Sequence, residues 1–212
     1  MQPSRALISA AFMLAGASTV MAASSQDLSV TGTITPSACT ALITSGGIVD
    51  YGKISAQDLN PTAVTLLPKA SVQLSVTCLA PTLMAFKSAD NRPGTAADRD
   101  ESVSRFGLGL ASGNEKIGWY TLTMADVIAN DLPATPIETV DGSVWFDAGN
   151  SVWQPGWMRT AKDPSLPTAA PLALTTFKAD VVVAATITNK QYLPITEEIK
   201  IDGSATLDLI YL

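Results

Sequence analysis

Ser71-Val72-Gln73-Leu74-Ser75-Val76-Thr77-Cys78 sets polar and apolar residues in strict alternation. Successive side chains of a strand point to opposite faces, so Val72, Leu74, Val76 and Cys78 share a core-facing side while the residues between them meet water. A helix would scatter the same residues around its surface. Working outward, residues 180–188 (DVVVAATIT) form a β-branched run, and Leu207, Leu209 and Tyr211 alternate with Thr206, Asp208 and Ile210. Shorter strand candidates are 48–54, 83–88, 106–110, 117–124, 143–146 and 172–178. Ser45-Gly46-Gly47, Asn91-Arg92-Pro93-Gly94, Ser112-Gly113-Asn114, Asp141-Gly142 and Asp202-Gly203 punctuate them as turns. Only residues 124–130 read as a short helix, and residues 163–171, with three prolines, read as an extended loop. Many short strands separated by turns predict an all-β sandwich.

The 212 residues are 47% hydrophobic and 15% charged, enough for one sizeable core. Thirteen Lys+Arg against nineteen Asp+Glu give a formal charge of −6, which argues against a phosphate-backbone binder. Histidine is absent, which removes Ser-His-Asp and Cys-His nucleophile systems, histidine bases and nearly every zinc site. No metal or cofactor is expected.

Residues 1–22 read as a secretory signal. Arg5 supplies the positive start, an apolar run follows from Ala6 to about Ala17, and Val20-Met21-Ala22 precedes Ala23, the expected first mature residue. The run is too short for a membrane anchor. Its removal takes one cation and no acid, moving the formal charge to −7. In an oxidising compartment Cys39 and Cys78 should pair. They enclose 38 residues, a closure that stabilises a fold by roughly 4 kcal/mol in the chain-entropy model. There is no C-x-x-C for redox chemistry, so the bond reads as a staple.

Near the mature start, Leu28-Ser29-Val30-Thr31-Gly32-Thr33-Ile34-Thr35 precedes Pro36, with Leu28, Val30, Gly32 and Ile34 on one face. A polar leader, residues 23–27, comes before it. An apolar-faced strand so close to a terminus either pairs within its own fold or reaches another chain's sheet edge.

These residues resemble the chaperone–usher fimbrial subunits, the pilins. The L-x-V-x-G-x-I spacing with Cys39 seven residues after Gly32 is similar to the pilin N-terminal extension and first strand. Val49-Asp50-Tyr51-Gly52-Lys53-Ile54 is similar to the strand after the first pilin cysteine, and residues 72–78 to the strand that ends at the second. Residues 203–212, with Tyr211 penultimate, are similar to the terminal strand. The likeness covers residues 23–78 and about 177–212, while residues 90–171 exceed what an ordinary pilin needs and mark an enlarged branch.

The resemblance implies an incomplete immunoglobulin-like β-sandwich, the pilin fold, completed by a donor strand from another subunit. It implies a signal peptide at 1–22, a donor-strand extension at 23–35 and a pilin domain at 36–212. Leu28, Val30, Gly32 and Ile34 would then enter a neighbour's groove. Ala205, Leu207, Leu209, Tyr211 and Leu212 would form the groove wall and the strand a chaperone grips. The implied partners are neighbouring fimbrial subunits in a head-to-tail polymer, a periplasmic chaperone and an outer-membrane usher. The implied destination is the cell surface, reached through the periplasm.

Two alternatives rest on the middle of the chain. Trp119, Tyr120, Trp145, Trp153 and Trp157 could stack on a surface glycan, as in a carbohydrate-binding adhesin, or could simply pack. Glu138, Asp141 and Asp147 could serve a secreted β-sandwich glycosidase. No motif sets any pair at a catalytic separation, so no catalytic residue is assigned and the chain is not expected to be an enzyme. Asp98, Asp100 and Glu101 lack the spacing of a calcium loop and read as solvated.

Overall fold

The computed structural model describes residues 39–97 and 102–212. Its strands are β1 Cys39–Ile43, β2 Thr65–Leu66, β3 Ala70–Thr82, β4 Met84–Asp90, β5 Phe106–Gly107, β6 Gly118–Ala129, β7 Leu132–Pro133, β8 Thr135–Thr139, β9 Phe146–Asp147, β10 Val152–Trp153, β11 Met158–Lys162, β12 Leu174–Ile187 and β13 Ala205–Tyr211. They build two antiparallel sheets, and the described residues form a β-sandwich. One sheet runs β1-β3-β12-β6-β10, with β2 also on β12 and β5 and β7 on β6; the other runs β13-β4-β11-β8-β9.

The alternation of β3 does what its spacing demands. Val72, Leu74, Val76 and Cys78 are all buried while their neighbours are not. They meet Phe86 of β4 and Phe177 and Val181 of β12 in one core, with the Phe86 and Phe177 rings 6.1 Å apart. The Cys39–Cys78 bond forms across a directly opposed pair, with Cα atoms 4.0 Å apart. It ties the edge strand β1 to the body of its sheet.

Several strand readings shift. Residues 124–130 are not a helix but the end of β6. Asp126, with φ of 48°, sits where β6 and β12 slip register, a bulge that interrupts the alternation and so hides the strand. Asn130 and Asp131, at φ of 51° and 64°, then turn the chain into β7, and the Asn130 side chain accepts bonds from the Thr175 and Thr176 amides. The two candidates at 172–178 and 180–188 are one strand, β12. Of 143–146 and 106–110 only short ladders remain, at β9 and β5. Residues 48–54 carry no ladder, and the chain turns at Gly52, with φ of 61° and its amide donating to Asp50 Oδ1. Residues 163–171 form a loop, as expected.

Candidate functional site

The outermost strands β1 and β13 each have no strand beyond them among the described residues, and they flank the same trough. Its first section, about 640 Å³, is walled on one side by Ala41, Leu42, Ile43, Val49 and Tyr51. Ile201, Gly203, Ala205 and Leu207 form the other wall. Val72, Leu74, Phe86 and Leu122 contribute its floor. A second section of about 510 Å³ runs on between residues 49–54 and 195–201 and shares Val49, Tyr51 and Ile201 with the first.

The β13 wall is longer than its ladder. Ile199, Ile201, Gly203, Ala205, Leu207 and Leu209 keep period two through the extended residues before β13. All but the glycine lie half-buried against the core. The corresponding row on β3 is at most 7% exposed. A core-facing row left half-open is a row without a cover.

Local bonds aim this wall at the trough. Asn91 Nδ2 donates to the hydroxyls of Ser204 (2.9 Å) and Thr206 (3.0 Å), and the Arg92 guanidinium donates twice to Asp202 Oδ2, at 3.0 and 2.8 Å. The Asp202 amide donates to the Leu108 carbonyl. These partners hold the segment from one side and leave the other facing the gap. The site of Gly203 is tight: a Cβ would lie 2.9 Å from Leu108 Cδ2 and 3.0 Å from Tyr120 Cε1. Tyr120 is a buried floor residue stacked on Phe106, ring centroids 5.1 Å apart, and not part of an exposed platform. Burial raises its phenol pKa, the Asp90 charge adds to the rise and Arg92 offsets it. Burial likewise raises that of Tyr51, with the Ala185 backbone acting against it.

At one end the trough is tied shut. The Cys39 amide donates to Tyr211 Oη at 3.1 Å, joining the first edge strand to the last. Tyr211 and Leu212 are partly exposed there and do not line the trough. At the other end Lys53 and Glu198 face each other across the second section at 3.9 Å, an exposed pair that contributes little.

The remaining singled-out residues are dispersed. Trp153 is fully buried and donates through Nε1 to the Trp157 carbonyl at 3.0 Å. Trp119, with Arg105 over its ring, pairs with Thr186 in the first sheet, whereas half-buried Trp145 lies just before β9 of the second. Glu138 accepts from buried Arg159 at 2.6 Å, Asp147 faces Lys162 at 2.8 Å, and Asp141 accepts from Ser143, which holds its carboxyl below the usual range. Leu28, Val30, Gly32 and Ile34, the segments 1–22 and 23–35, and Asp98, Asp100 and Glu101 lie outside the described residues.

Residues 199–202 extend the wall ahead of the terminal strand expected at 203–212. The signal was present, because Ile199-x-Ile201-x-Gly203-x-Ala205 continues the phase of β13. The place of Leu108 and Phe86 in the floor follows only from packing.

The chain is 30% identical to protein GltF of Escherichia coli (strain K12), over 98% of its own length and 96% of GltF. It belongs to the GltF family. It is also 23% identical to the uncharacterized protein YhcF of the same organism, over 92% of this chain and 94% of YhcF. Residues 28–105 match the family model described as protein of unknown function, DUF1120. That span takes in the alternating segment at 28–34, both cysteines and strands β1 to β4.

Proposed function

We propose that this protein is a structural subunit of a bacterial surface fimbria that assembles by strand donation. Its sandwich is immunoglobulin-like but incomplete, and residues 23–35 complete that of a neighbour. A periplasmic chaperone fills the trough first, and an outer-membrane usher exports the growing polymer. One observation carries this reading: β1 and β13, each an edge strand of its sheet among the described residues, border one trough with an apolar floor, which gives an incoming strand hydrogen-bonding partners on either side and a floor for alternate side chains. Leu28, Val30 and Ile34 have the matching spacing, each contributing roughly 1.5–3 kcal/mol when fully buried. Gly32 allows the donor backbone close approach where the floor is shallow. The dispersed tryptophans lend no support to a glycan platform, and the paired carboxylates lend none to a glycosidase.

The test compares chains with and without residues 23–35. The shortened chain should aggregate or unfold early and should recover stability when a peptide of residues 25–35 is added. A shortened chain that is a stable monomer and ignores the peptide would refute the proposal.

A further inference from the structure

The trough explains where an incoming strand goes but leaves a second apolar surface without a role. Cys39, the disulfide and Tyr211 mark one pole of the sandwich. Leu79 follows Cys78 there and is 87% exposed. Leu83, in the turn between β3 and β4, and Leu212, whose amide donates to the Leu83 carbonyl, are each nearly half exposed. The chain carries no charged residue from Ala70 to Phe86, so nothing charged in that stretch interrupts the patch.

The N-terminal segment joins the sandwich at this same pole. Only Thr35 to Ala38 separate Ile34 from Cys39, a tether of at most about 18 Å when fully extended. By contrast the 14 residues of β12 extend over roughly 45 Å. A neighbour that takes residues 28–34 into its trough must therefore bring the mouth of that trough against this pole.

Chain direction then selects which part of the neighbour arrives. β13 runs toward the Cys39 pole, since Tyr211 reaches Cys39. A donated strand parallel to β13 would end at the neighbour's own Cys39 pole, and two such chains would close on each other. One antiparallel to β13 ends at the opposite pole, so each contact leaves the next site open. That opposite pole also shows apolar residues, Val64, Leu66 and Leu110, around the ends of β2 and β12.

We propose that the Cys39 pole, through Leu79, Leu83 and Leu212, forms a second contact onto which the opposite pole of a second copy of this chain seats. This rests on the strand-donation reading and adds a partner surface outside the trough. The second contact holds the donor and acceptor poles together while the strand enters, so it sets the rate and stability of assembly without touching the bound strand.

Full-length chains lacking only residues 1–22 provide the test. Leu79→Asp and Leu83→Ser, alone and combined, are compared with wild type for capture of a labelled peptide of residues 25–35 and for assembly followed by light scattering. Peptide capture should stay within twofold of wild type while assembly slows at least tenfold. Normal assembly with normal capture overturns the second contact and leaves strand donation standing. Wild type that captures no peptide overturns both. Hydrogen exchange on wild type separates assembly from any folding defect of the variants. The amides of residues 79–83 should be protected in assembled chains relative to unassembled ones, and equal exchange in both states overturns the proposal.

Discussion

Gly203 shows how much of the trough depends on one missing side chain. It stands in the phase of Ile201 and Ala205, yet a Cβ there would press on Leu108 and on the ring of Tyr120, which is itself fixed by stacking on Phe106. Gly203→Val should therefore cost about 1–3 kcal/mol, the range of overpacking in a tight site. It should also weaken capture of a 25–35 peptide by pushing the wall into the gap. Chemical denaturation and peptide titration measure the two effects, and a fully stable, fully competent variant would show that the wall has room to move. Gly203 looks in the sequence like ordinary turn punctuation after Asp202. Its second role follows only from which side chains lie beneath it. Tyr211 is similar: a penultimate tyrosine is visible in the sequence, but its tie to the Cys39 amide is a distance between the two ends of the described chain.

Among the elements, those with clean period two were legible and those with local interruptions were not. β3 and β13 read directly because one face of each meets a core. The end of β6 did not, because the bulge at Asp126 breaks the alternation before Val127 and Ile128. Residues 48–54 form no ladder, since the positive φ of Gly52 turns the chain in their middle. The enlarged middle gave the weakest signals, because β8 to β11 are short, and a buried ion pair joins β8 to β11. Arg159 is fully buried, donates to Glu138 and Ser151, and lies over the Trp153 ring at 5.6 Å. Desolvation lowers its pKa, and the Glu138 carboxylate works in the opposite direction. Removing one partner strands a buried charge, so Glu138→Leu should cost roughly 3–5 kcal/mol. The double change Glu138→Leu with Arg159→Met should recover most of that loss. Thermal unfolding of both variants checks this, and equal losses would mean that the pair is not the element's anchor.

For the whole molecule, the sequence carried the all-β fold class and the Cys39–Cys78 disulfide. It did not carry the length of the trough, the tie at its end or the apolar pole where the N-terminal tether begins. The reason is physical: each depends on where two distant segments meet, and periodicity reports only one segment at a time. The missing histidine and the low charge accord with a protein whose proposed work is contact with other subunits. The half-buried row on β13 is the apolar surface that the proposed strand would cover. Strand insertion is the central claim, and backbone protection reports it most directly. Hydrogen exchange would be measured on chains lacking only residues 1–22, with and without the 25–35 peptide. Protection should rise at the amides of 39–43 and 205–211, the two strands that edge the trough, and change little in β8 to β11. Unchanged exchange at both edges under saturating peptide would contradict the account.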